Sequence, residues 1–133
     1  MSDNGLVTLQ SAHNFVTTLA RIEAALNARG ITLFMRIDHA AGASGVGLSL
    51  RPTTLLLFGS PLAGTPLMQA AQTAGIDLPL KALIWQDAAG TVNLTYNDPE
   101  WIAARHALGE DAQKSVTVLA AGVQSLARQA TES

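Results

Sequence analysis

Residues Leu80 to Tyr96 read LKALIWQ, then DAAG, then TVNLTY. Two apolar, β-prone runs flank a short polar connection that ends in Gly90. That pattern reads as a β-hairpin, because the loop is too short for anything but antiparallel neighbours. Upstream, Thr54 to Phe58 is a continuous apolar run and reads as a strand buried on both faces. Pro52, just before it, has no N–H for a ladder and marks an edge or bend. Further upstream, Ile31 to Asp38 alternates. Ile31, Leu33, Met35 and Ile37 point to one side, and Thr32, Phe34, Arg36 and Asp38 to the other.

Helical periodicity surrounds these strands. Phe15, Leu19, Ile22 and Leu26 fall on one stripe after a short first strand at Gly5 to Gln10, with Ser11 as the expected N-cap and Gly30 as the stop. His39 to Gly47 reads as a short frayed helix or loop started by Asp38. Thr65 and Pro66 read as the cap and first residue of a helix running to about Thr73. Asp98-Pro99-Glu100 repeats that signal for a short helix through His106. A last helix spans about Asp111 to Gln129, with Val116, Leu119, Val123 and Leu126 on one stripe. The two stripes pack on each other or form a dimer seam. The order is strand, helix, strand, strand, helix, hairpin, helix, helix. It predicts a single α+β domain over residues 1–133, with a mostly antiparallel twisted sheet and helices on one face.

Charged residues are only 14% of the chain, against roughly 25% in an average soluble protein. So little polar cover predicts that some apolar surface is hidden against a second subunit, and a homodimer is the default assembly. The net charge is -2 and no basic cluster occurs, so neither nucleic acid nor an anionic membrane surface is an expected partner. No apolar run approaches the length of a membrane span. Met1 to Gly5 has no positive region and no apolar run, so no secretory signal is expected there. Cysteine is absent, which removes thiol chemistry and disulfides and fits a cytoplasmic location.

No motif names a reaction. Gly59-Ser60-Pro61-Leu62-Ala63-Gly64-Thr65 copies half of a phosphate-binding loop, but Thr65 stands where the lysine belongs. Free backbone donors at the following helix start would suit a smaller anion. The Gly42 to Gly47 segment has the wrong spacing for a dinucleotide loop. His13, His39 and His106 show no HxH or HExxH spacing. A metal or haem site would require His39 and His106 to meet, with Met68, Met35 or Asp38 as a further ligand. Asp38 and His39, adjacent in a strand, would face opposite ways and could not form a triad with Ser44. Trp85 and Trp101 are expected to lie close together, in the core or around a pocket.

A series of strings adds a resemblance. It comprises Ile37-Asp38-His39-Ala40-Ala41-Gly42-Ala43, Leu50-Arg51-Pro52-Thr53, Phe58-Gly59-Ser60-Pro61 and Gly64-Thr65-Pro66-Leu67-Met68. Asp77-Leu78-Pro79-Leu80-Lys81, Tyr96-Asn97-Asp98-Pro99 and Arg105-His106 complete it. In this order, over about Thr17 to Leu108, the chain resembles the bacterial and archaeal family called domain of unknown function 302. It departs at Ser60, where Asn is expected before the proline. The resemblance implies a small α+β fold with a twisted sheet, often dimeric, and no established activity. It points to Asp38, His39, Arg51, Thr65 and His106, which would converge on one side of the sheet.

The leading expectation is a non-catalytic homodimeric module that binds a small anion or polar metabolite. Arg51 would supply charge, Thr65 and its helix start hydrogen bonds, and Asp38 with His39 orientation. Arg51→Ala would then abolish binding. One alternative is a metal or haem protein using His39, His106 and Met68. Another is a hydrolase or isomerase with His39 as general base in a deep cleft. No cofactor is required by the sequence.

Overall fold

The computed structural model describes residues 3–133; Met1 and Ser2, the start of the stretch read for a signal, lie outside them. The expected hairpin is present as β4 (Leu80–Gln86) and β5 (Val92–Asn97), closed by Asp87, whose backbone N–H donates to the Thr91 carbonyl at 2.9 Å. Asp87 Oδ1 also accepts from the amides of Ala89 and Thr91, so one side chain folds the loop. β1 (Leu6–Gln10) adds beside β5, and β3 (Thr53–Gly59) and β2 (Thr32–Asp38) add beyond β4. The sheet order is β1-β5-β4-β3-β2 and each neighbouring pair is antiparallel. The α+β expectation, with a single antiparallel sheet, holds.

Helices α1 (Phe15–Ala28) and α5 (Glu110–Thr131) pack on one face of this sheet and on each other. Leu19, Ile22 and Leu26 from α1 meet Val123, Leu126 and Ala127 from α5 over Leu56, Ile84 and Leu94. From Val123 on, the two stripes are therefore core partners, while Val116 packs with Leu67, Ala74 and Ala103. Asn14, not Ser11, caps α1 by accepting from the Thr17 amide. The Ser11 hydroxyl is instead paired with that of Thr18 at 2.7 Å. Gly30 ends the helix with φ +67, as expected of a left-handed stop. α2 (His39–Gly45) is a short helix capped by Asp38, whose Oδ1 accepts from the Ala41 amide. α4 (Pro99–Arg105) starts on the Asp98 cap.

Two strand expectations are corrected. β3 is not buried on both faces: Thr54, Leu56 and Phe58 are buried under the helices, while Thr53, Leu55 and Leu57 are half-buried on the other side. Among the described residues α1 and α5 cover only the first face, so β3 is an inner strand with one face in the core and the other half-buried. The clean alternation of β2 is also broken. Leu33 pairs with Phe58, but Met35, not Phe34, pairs with the next residue, Leu57. Phe34 is the extra residue of a β-bulge. The bulge shifts everything after it by one, so Leu33 stays on the helix face while Met35 and Ile37 turn to the open face. Arg36 thereby faces α1 and reaches Glu23 at 3.3 Å.

Trp85 and Trp101 do not meet. Trp85 stands on the open face and donates from Nε1 to Thr95 Oγ1 at 2.9 Å. Trp101 packs against the helix-side core and the backbone of Gly5.

Candidate functional site

The chain leaves β3 at Gly59, and the helix that follows starts earlier than its Thr65-Pro66 signal predicts. α3 spans Pro61–Ala70, with Ser60 as its cap and Pro61 in the first turn. Both sites carry the same cap-then-proline pattern, and the first one wins. Thr65 lies inside α3, and Pro66 simply omits one helical hydrogen bond. The donors at the start are also occupied. Ser60 Oγ accepts from the Leu62 amide at 3.2 Å, and the Ser60 carbonyl accepts from Ala63 and Gly64 at 3.0 and 3.1 Å. Pro61 has no N–H to offer. The anion cradle expected at this helix start is therefore filled by the chain itself.

What does open here is a cavity of about 310 Å³, between the ends of β3 and β4, α3, α5 and the 3₁₀ turn Gln72–Asp77. It is within the size range of small-molecule sites. Phe34, Phe58, Met68, Leu78, Leu80 and Leu119 supply its apolar walls. Ser60 and Thr65 are the polar side chains on it, and no charged side chain lines it. The bulge explains Phe34: displaced from the ladder, its ring lies over Gly59, where a Cβ would sit 3.6 Å from Cε2. Gly75 keeps the wall open beside Met68, whose Sδ is 3.2 Å from where a Cβ would be.

Of the candidate site residues Asp38, His39, Arg51, Thr65, Met68 and His106, Thr65 and Met68 line this cavity, with Gly59, Ser60, Pro61, Ala63 and Gly64 of the glycine-rich motif beside them. Asp38 is opposite Thr54 at the start of β3, whereas α3 leaves from Gly59 at its end. Five residue steps separate Thr54 from Gly59, roughly 17 Å at about 3.3 Å each. His39, the exposed first residue of α2, and Arg51, exposed on the approach to β3, belong to the Asp38 end. His106 is at the other end, held beside Asp77. The expected convergence of Asp38, His39, Arg51, Thr65 and His106 is thus split between two ends of the sheet. His39 and His106 share no site, and among the described residues no group of three or more His, Asp or Glu could hold a metal ion. Nor does His39 sit in the deep cleft a general base would need.

His106 has its own constellation. Nε2 donates to Asp77 Oδ2 at 2.6 Å, and Nδ1 is 3.0 Å from Thr73 Oγ1. The carboxylate fixes the proton on Nε2 in the neutral ring, which leaves Nδ1 to accept from the Thr73 hydroxyl. Arg105 donates to both Asp77 oxygens at 3.0 and 3.2 Å and lies 5.8 Å from the Trp101 ring centroid. Hydroxyl, imidazole and carboxylate in series resemble a hydrolytic triad. Here, however, the imidazole is 7% exposed, and neither Thr73 nor His106 lines the cavity. The group acts as a clamp that ties the 3₁₀ turn, hence the Gly75 and Leu78 wall, to the end of α4. Nearby, Lys81 Nζ donates to the carbonyls of Pro79 and Asp77 at 3.1 and 3.3 Å. Burial lowers the Lys81 pKa, partly offset by the Asp77 charge.

Sequence reasoning missed Phe34, Ser60, Thr73 and Asp77. Ser60 was visible as a cap signal. Asp77 stands beside Leu78-Pro79 in the family strings, with nothing there to name its partners. Nothing local marked Phe34 or Thr73, since a bulge and a long-range hydroxyl contact are tertiary facts.

A profile of the family described as domain of unknown function DUF302 matches residues 7–126. The chain is 44% identical over 128 residues to a protein of Brucella suis named fluoride-specific ion channel FluC 1, covering 96% of this chain and 50% of that protein. It is equally identical to FluC 1 of Brucella abortus, covering 47% of it. The chain thus spans about half the length of these curated relatives. A crystal structure of an uncharacterized conserved DUF302 protein from Bacillus stearothermophilus superposes with a TM-score of 0.83 at 15% identity. The superposition covers 95% of this chain and 98% of that one, and shows a shared fold.

Proposed function

The chain belongs to the DUF302 family, domains of unknown function, and from that premise we propose that it is a non-catalytic, homodimeric, cytoplasmic module that binds a small molecule in the cavity beside α3. The ligand is mostly apolar with one oxygen-bearing end. The cavity carries this reading: its walls are aliphatic and aromatic, with Ser60 and Thr65 hydroxyls to fix orientation. The anion or fully polar metabolite expected from Arg51 finds no charged partner on these walls, because Arg51 belongs to the opposite end of β3. The absence of cysteine fits a reducing compartment.

The Brucella relatives support a module rather than an enzyme. Their name describes a channel, and this chain corresponds to about half of each. Among the described residues no helix is long and apolar enough to cross a membrane. We therefore read the shared half as an appended module, with the membrane-crossing part in the half outside the match.

The test uses 1-octanol, followed by amide NMR. Saturable shifts at Gly59, Gly64 and Gly75 are expected. Ala63→Phe, which fills the cavity, abolishes them, and Arg51→Ala leaves them unchanged. No saturable shift with octanol, together with phosphate binding that Arg51→Ala removes, would overturn the reading.

A further inference from the structure

The face of the sheet away from the helices is apolar where a solvated face should be polar. From β2 inward, Met35 is in register with Leu57, and Ile37 with Leu55 and Leu83. Trp85 stands next to them, opposite Thr53. Leu55, Leu57, Leu83 and Trp85 sit on the two inner strands β3 and β4, yet none of them joins the buried core. Met35 is 55% exposed. Beyond them the face is uncharged: Asn93, Thr95 and Asn97 on β5, and Leu6, Thr8 and Gln10 on β1. Thr8 and Thr95 join their hydroxyls at 2.8 Å, which lowers their demand for water. Lys81 is the one charge on these strand positions, and its ammonium is turned to the loop carbonyls of Asp77 and Pro79.

From this we infer that a second copy of the chain docks face to face on the open side of the sheet. The inference rests on the homodimer reading and names its interface. Five strands about 4.8 Å apart and some six residues long give a face of roughly 20 by 20 Å, about 400 Å² in projection. Side-chain relief enlarges that. Val46, Leu48 and Leu50, exposed at 74%, 66% and 49% on the arm leading into β3, add to it at one end. Over both partners the projection alone is about 800 Å², and side-chain relief with the Val46–Leu50 arm brings it toward the roughly 1,200 Å² at which specific dimers begin. Self-docking also suits a face without charge, since in a two-fold pair every charged group near the axis would meet its own copy. Pairing through the outer edge of β2 is disfavoured by the bulge at Phe34, which interrupts its ladder. With the patch centred on Leu55 and Leu83, the two-fold axis passes close to them.

The chain lacks cysteine, so single thiols can be placed cleanly. Native mass spectrometry of the full chain at micromolar concentration is expected to show twice the 13.8 kDa chain mass. Leu83→Cys is expected to give a covalent dimer with a short bis-maleimide. Ser125→Cys, on the exposed outer side of α5, gives none. Leu83→Glu is expected to be monomeric with an unchanged circular dichroism spectrum. A dimer that Cys-substituted Leu83 does not cross-link overturns this interface and leaves the homodimer standing. A monomeric wild type overturns both, and the octanol titration remains an independent test of the cavity.

Discussion

Gly5 is buried at φ +80, and a Cβ there would come within 2.5 Å of Trp101 Cδ2. Both the backbone and the space demand glycine. Gly5→Ala is expected to cost at least about 2 kcal/mol by urea denaturation, from overpacking plus left-handed strain. The clamp is expected to divide unevenly. His106→Ala removes two hydrogen bonds from a nearly buried imidazole and should cost roughly 1.5 to 3 kcal/mol. Arg105→Ala, with its side chain half exposed, should cost under about 1 kcal/mol. Equal losses would mean that the guanidinium holds Asp77 as firmly as the imidazole does. Two groups oppose each other in alkali. Burial holds Lys81 below its ordinary 10.5, so the unfolded chain binds more protons there and stability rises with pH through the window just under that value. Burial, with Asp98 adding to it, raises Tyr96 above its ordinary 10.0, so its contribution is full below pH 10 and is lost as pH rises past it. Denaturation of Tyr96→Phe between pH 9 and 11 should show the rise alone, and Lys81→Met the fall alone.

At the scale of elements, α3 shows what a local signal can and cannot decide. Ser60-Pro61 and Thr65-Pro66 are equally good starts by residue type, and only the end of β3 at Gly59 selects the first. Ser60→Ala is expected to destabilise by about 1 kcal/mol, and Thr65→Ala by much less, because Thr65 is not the cap. Comparing their melting midpoints checks this. Periodicity located α1, α5, the hairpin and the Asp98 cap because each is set by contacts within a few residues. It misplaced the faces of β2, where alternation looked perfect, because a bulge is dictated by the partner strand. It misjudged β3 because an apolar run looks the same whether helices or another chain cover its second side.

For the molecule as a whole, the site was legible only in fragments. Thr65 and Met68 were singled out and line the cavity; Asp38, His39 and Arg51 were singled out and stand at the far end of the sheet. Strand direction decides that separation, and a list of polar residues at element ends carries no direction. The low charge content was a better guide, since it anticipated apolar surface left over after folding, and the open sheet face supplies it. If that face is buried between two chains, folding and association are linked, and the melting temperature rises with protein concentration. Calorimetry over a hundredfold range should show an upward shift for the wild type and none for Leu83→Glu.

Phe34 gives the chain an unusual tolerance. Leu33 and Met35 already pair with the consecutive residues Phe58 and Leu57. A gene that lost the codon for Phe34 would therefore encode a strand with every other side chain still on its present face. Elsewhere in the sheet a one-codon deletion would turn half a strand inside out. At this position the same lesion would spare the fold and the open face, and would strip one aromatic wall from the cavity. Relatives could thus shed this aromatic wall, and the ligand preference it imposes, in a single genetic step.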